Sequence, residues 1–172
     1  SYTIGRPYQV IQHELIKTSL GWNLKHVGRL YLEISRQYNK RNEFDAHLAY
    51  NDSLAALDAP QLHFELTTWT VNAGLESFVI GNVKFNTGFQ YIHQKNTYEG
   101  RYFIPNFASN TGGAFLVANW RKGRWNTEAG MRFDIRHIQS YYWTNNVFDA
   151  PERTFAAPTG AAGAAYDLSK GL

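Results

Sequence analysis

The sequence predicts an all-β fold of antiparallel strands, and three observations carry that prediction. Long stretches alternate between apolar and polar residues, the pattern of strands whose two faces meet different environments. No stretch carries a convincing 3.6-residue helical stripe. From Lys25 onward the connections run short, long, short, long, short, long, which sorts tight turns to one end of the strands and long loops to the other. Soluble sandwiches are rarely sorted so strictly. Membrane barrels are, with tight periplasmic turns and long extracellular loops. The expected fold is therefore an antiparallel transmembrane β-barrel segment of about seven strands.

The first strand covers roughly Ile11 to Lys25, with Ile16, Thr18, Leu20, Trp22 and Leu24 on one face and Lys17, Ser19, Gly21, Asn23 and Lys25 on the other. His26-Val27-Gly28 turns the chain into a second strand, Arg29 to about Arg41. Leu30, Leu32 and Ile34 point outward there; Tyr31, Glu33, Ser35, Gln37 and Asn39 point inward. A long connection, about Asn42 to Pro60, holds the turn formers Asn51-Asp52-Ser53 and Asp58-Ala59-Pro60.

The third strand spans about Gln61 to Ser77, and its phase slips near Thr67-Thr68, which predicts a bulge there. After a turn at Phe78 to Asn82, the fourth strand alternates Val83, Phe85, Thr87, Phe89 and Tyr91 with Lys84, Asn86, Gly88 and Gln90. A second long connection is expected from about Lys95 to Thr111.

Gly113 to Ile135 forms a hairpin. Thr127, Ala129, Met131, Phe133 and Ile135 make an apolar wall opposite Asn126, Glu128, Gly130, Arg132 and Asp134. Its turn, Arg121-Lys122-Gly123-Arg124, is basic and flanked by Trp120 and Trp125, as where a transmembrane hairpin leaves the bilayer. A third long loop is expected from about His137 to Pro158, and a last strand from Thr159 to Leu168.

Composition narrows the function. The 172 residues are 44% hydrophobic and 16% aromatic, and no cysteine is present, which excludes a disulfide scaffold and thiolate metal sites. A net charge of +3 without a basic stripe gives no case for nucleic acid. No apolar run is long enough for a membrane helix, but barrel strands escape that test, and a mean hydropathy of −0.43 suits them. About seven strands in lipid would leave two open edges, so the chain is read as an internal piece of a longer protein.

Particular residues then carry a resemblance. Gly5-Arg6-Pro7-Tyr8-Gln9 with Val10-Ile11-Gln12-His13, Arg41-Asn42-Glu43-Phe44-Asp45, and Leu62 to Thr70 are similar to barrel segments of TonB-dependent outer-membrane receptors of the Bacteroidetes type. So are Ile104-Pro105-Asn106-Phe107 with Gly112-Gly113, and Trp125 to Asp134. The resemblance implies that residues 1–172 belong to one transmembrane domain, part of a barrel of about 22 strands in the outer membrane of a Gram-negative bacterium. It further implies import of a scarce ligand, such as a siderophore or haem iron complex, with a glycan or peptide as the alternative cargo. The partners implied are outer-membrane lipids, a plug domain absent from this chain, the remaining strands, the TonB complex, and a surface lipoprotein.

No catalytic constellation stands out, so an enzyme is not expected, nor a resident cofactor or metal. His13, His26, His47, His63, His93 and His137 are scattered without metal-binding spacing, although His47 and His137 could meet in three dimensions. Glu128, Arg132 and Asp134 read better as an interior salt-bridge ladder than as acid and base. A ligand site would lie at the loop end, where Arg41, Glu43, Asp45, Tyr98, Arg101, Tyr102, Asn106, Tyr141, Tyr142 and Trp143 are the candidates. Tyr and Trp offer broad contact at low entropy cost, and Arg pairs with carboxylates. The competing reading is that Arg41 and Asp45 tie loops together and the aromatics form an outer girdle. Rival functions are a passive porin or structural barrel, and a soluble β-sandwich binding module.

Overall fold

The computed structural model describes residues 5–45, 59–100 and 104–168. Eight strands follow in chain order: β1 (Tyr8–Leu24), β2 (Gly28–Phe44), β3 (Leu62–Ile80), β4 (Val83–Gly100), β5 (Asn106–Lys122), β6 (Trp125–Thr144), β7 (Val147–Asp149) and β8 (Glu152–Tyr166). They form one antiparallel sheet in which consecutive strands pair, and β7 and β8 both pair with β6. These two are one ribbon interrupted at Ala150-Pro151. Pro151 has no N–H to give, and its carbonyl instead accepts from the Ser140 amide at 3.1 Å.

Register decides what each face is. One row runs Leu20, Leu32, Ala73, Phe89, Ala114, Phe133, Pro158 across seven ribbons. The next row toward the loop end is Thr18, Ile34, Val71, Tyr91, Gly112, Ile135, Ala156. One step further the same face reads Ile16, Arg36, Trp69, His93, Asn110, His137, Thr154. The apolar band thus ends at about one row across the sheet, with only Ile16 on β1 and Trp69 on β3 carrying it one position further. From Trp125 to Ile135 it stands about 25 Å tall once strand tilt is allowed for, the height of a hydrocarbon band. Above it the walls continue, paired but wet on both faces.

Each ribbon touches only its sheet neighbours, and among the described residues Leu62 is the one buried hydrophobic side chain. Phe89, Phe133 and Met131 lie open on the outer face. A soluble sandwich would press such faces together, so that reading is overturned. β1 and the β7–β8 ribbon are unpaired edges, so the sheet is not closed.

The connections depart from expectation in three places. β4 and β5 extend to Gly100 and Asn106, so most of the segment Lys95–Thr111 is paired strand. The third long loop is no loop: β6 continues to Thr144, Asn145 and Asn146 turn with φ of 50° and 64°, and β7 returns. Two consecutive positive φ values make the turn type that matches strand twist, and asparagine tolerates them. The bulge lies between Leu75 and Phe78 rather than at Thr67-Thr68. There Ser77 has φ 60°, and its amide donates to Asn86 Oδ1 at 2.8 Å. The phase slip at Thr67-Thr68 instead marks where apolar residues change sides, to Leu66, Phe64 and Leu62 on the inner face. Asn51-Asp52-Ser53 and Asp58 lie outside the described residues.

Candidate functional site

Alternation turns every second cross-strand row inward, and mid-sheet the side chains of these rows are mostly polar. Lys17 on β1 sits 2.6 Å from Glu33 on β2, and Ser19 donates to the same carboxylate at 3.4 Å. Asn72 on β3 donates to Glu33 at 3.2 Å, and Gln90 on β4 donates to Asn72 Oδ1 at 2.9 Å. Arg132 on β6 donates to Gln90 Oε1 at 2.9 Å and grips Asp134 with two bonds of 2.7 and 2.6 Å. The donors run in one sense from Arg132 to Glu33, so every amide is used in both of its roles.

β5 contributes Gly113 to this row, between Gln90 and Asp134. A Cβ there would overlap the Asp134 carboxylate and come within 2.6 Å of the Arg132 guanidinium. The missing side chain is what lets Arg132 span β5. One row below, Tyr31 lies across Gly74 and Gly88, where a Cβ would meet its ring or hydroxyl at 2.6 and 2.8 Å. The expected interior ladder of Arg132 and Asp134 is present and extends further than expected; Glu128 stands apart from it, accepting only a long 3.5 Å bond from Asn119.

At the loop end the candidates divide by face. Arg41, Glu43, Tyr98 and Tyr142 are on the inner face; Asn106, Tyr141 and Trp143 are on the outer. Arg41 pairs with Glu43, which also accepts from Gln9 at 3.2 Å. Beyond β2, the Asp45 amide donates to Gln61 Oε1 at 2.8 Å; Arg6 donates to that oxygen at 3.0 Å and lies 5.3 Å over the Phe44 ring. These are ties between chain segments. Asn106 Oδ1 accepts from the Tyr98 amide at 2.6 Å. Tyr141 and Trp143 pack on Phe148, at 6.5 and 5.4 Å between ring centroids, and Tyr142 reaches Asp149 at 3.2 Å. Arg101, Tyr102 and His47 lie outside the described residues.

Sequence reasoning missed Asn96 and Ser109. Both are inward-facing, each is 1% exposed, and neither side chain has a hydrogen-bond partner among the described residues. They were hidden because the stretch around them was read as loop. On the outer face above the band, Tyr38 holds the Glu65 carboxyl below the usual carboxylate range, helped by His63 and Lys40. Burial, with Glu65 beside it, pushes the Tyr38 phenol up. His63 also meets Asn42 at 2.5 Å, and His137 meets Thr154 at 3.1 Å. No cluster of three metal-ligating side chains occurs among the described residues.

A family model described as TonB dependent receptor-like, beta-barrel, matches residues 3–172. The chain belongs to the TonB-dependent receptor β-barrel family. The match extends past the residues that carried the resemblance and includes the edge ribbon. No curated protein matches the sequence. TonB-dependent receptor barrels are outer-membrane proteins that serve transport, working generally with a plug domain and TonB. The open sheet, apolar outside and polar inside, is consistent with part of such a receptor's wall.

Proposed function

We propose that residues 1–172 form part of the barrel wall of a Bacteroidetes-type import receptor for a scarce ligand, an iron complex of the siderophore or haem kind. The observation that carries the reading is the division of one sheet into two faces. The outer face is apolar up to about one row, with only Ile16 and Trp69 reaching one position further, and the inner face carries a polar ladder from Lys17 to Asp134, suited to a plug and water. The ligand side is the inner wall at the loop end, around Arg41, Glu43, Tyr98 and Tyr142. Arg41 suits a carboxylate-bearing ligand. Asp45, Asn106, Tyr141 and Trp143 frame the rim, where a surface lipoprotein would meet the receptor; Arg101 and Tyr102 stay ligand candidates on sequence grounds alone.

The test is uptake by the full-length receptor, expressed in cells stripped of their own iron receptors, of labelled ferric siderophore and haem. Saturable uptake that stops when an uncoupler collapses the inner-membrane gradient is expected. Passive, unsaturable entry of small sugars, indifferent to the uncoupler, would replace this reading with a porin.

A further inference from the structure

The two rims of the apolar band differ in charge. At the loop end, cations and carboxylates share the outer face: Arg36 lies near Glu14, Lys40 pairs with Glu65, and His137 faces Glu152. At the turn end they do not. From the turns up to the Ile34–Ile135 row, no outward position on any described strand is Asp or Glu. Asp167, just past β8, is engaged by Arg121 at 3.8 Å.

Cations fill that rim beside indole rings. Lys122 is the cross-strand partner of Trp125, which packs against Tyr166 at 4.9 Å between ring centroids. Arg124 adjoins Trp125 in the turn, and its carbonyl accepts from the Asp167 amide at 2.9 Å. On the far side of the sheet, Lys25 lies in the turn just past the end of β1, rather than on its inner face, three residues after Trp22, whose ring lies on the outer face. Lys25, Lys122 and Arg124 are exposed and make no ion pair among the described residues. The arrangement, an interfacial aromatic with unpaired cations just beyond it, occurs at two separate turns. The third turn, Gly81-Asn82, carries neither.

We propose that these two turns bind the phosphate headgroups of anionic phospholipids in the leaflet that the turns face. Trp22, Trp120, Trp125 and Tyr166 set the depth, with apolar rings in the acyl boundary and polar edges at the headgroups. At that depth Lys122, Arg124 and Lys25 meet a phosphate with no competing carboxylate. Each cation near an anionic surface favours it by about fivefold. The proposal rests on the barrel reading above, which supplies the membrane and the orientation.

The experiment places the full-length receptor in nanodiscs of phosphatidylcholine, with or without phosphatidylglycerol. Lipid retained after detergent extraction is counted by native mass spectrometry. Phosphatidylglycerol is expected to be retained severalfold over phosphatidylcholine, and the triple variant Lys25→Gln/Lys122→Gln/Arg124→Gln is expected to lose that preference. Its heat-modifiable migration should stay that of the parent, which shows that it folds. Lys84→Gln, at the same end but on the inner face, should keep the preference. A triple variant that still prefers phosphatidylglycerol, or a parent that retains both lipids equally, overturns the proposal. Failure of the parent to insert into either disc would strike the barrel reading first.

Discussion

Arg132 and Gln90, 42 residues apart in sequence, are joined by a 2.9 Å hydrogen bond across a strand that has no side chain at the crossing. Gly113 is that gap, so the bond between β4 and β6 depends on an absence in β5. Replacing Gly113 with Val should displace Arg132 and leave Gln90 and Asp134 poorly paired, a loss of about 1–3 kcal/mol. Gly113→Ala should do the same more mildly. Gly163→Ala, where an added Cβ meets nothing within 4 Å, is the neutral control. Urea unfolding of the full-length receptor in detergent, followed by heat-modifiable migration, reads all three.

Facing predicts a second series. Phe133→Arg, in the middle of the apolar band, should cost about 2–4 kcal/mol in a bilayer. Ile135→Arg lies at the band's upper row and should cost less, since the penalty falls toward the interface. Thr70→Arg, on the inner face, should be mild. Folding yield into vesicles measures the order; equal tolerance at all three would remove the lipid face.

Acid should loosen the outer rim in a defined sense. The Glu65 carboxyl is held below its ordinary range by Tyr38, so folding favours its charged form. That contribution is complete above the unfolded glutamate value of about 4.3 and is lost as pH falls through the lowered folded value. The unfolding midpoint of the parent should therefore drop more between pH 6 and pH 3 than that of Glu65→Gln. Parallel curves would mean that the contact contributes nothing.

Ligand contact separates the inner rim from the outer. Arg41→Ala should weaken binding of a carboxylate-bearing iron complex by about tenfold, the scale of a lost charged hydrogen bond. Trp143→Ala, at the outer-facing hairpin tip, should leave binding unchanged. Isothermal titration on the intact receptor distinguishes them, and the reverse order would move the ligand site outside the wall.

What could be read from the sequence followed from where the environment changes. Within the band, lipid on one side and polar side chains on the other impose strict alternation, so the facing of Leu30, Phe89 and Phe133 was legible. Above the band both faces are wet and the alternation fades, so Lys95–Thr111 and His137–Pro158 read as loops although most of both is paired. The Asn145-Asn146 turn was visible as two turn formers, but nothing nearby alternated to show that strands flanked it. At Thr67-Thr68 a change of environment imitated a bulge. The ladder's reach from Lys17 to Asp134 depends on register across β1 to β6, which no local pattern encodes; nor could spacing reveal the buried Asn96 and Ser109.

The unpaired borders of this sheet limit how such a protein can be built. Among the described strands β1 is paired on one side, and every amide or carbonyl left unanswered along a sheet border would cost several kcal/mol in hydrocarbon. A half-wall therefore has no resting place in the bilayer. Insertion is thus tied to closing the circle, and a receptor stalled before closure would stick to other stalled copies along whichever border was then open rather than linger as a stable partial pore.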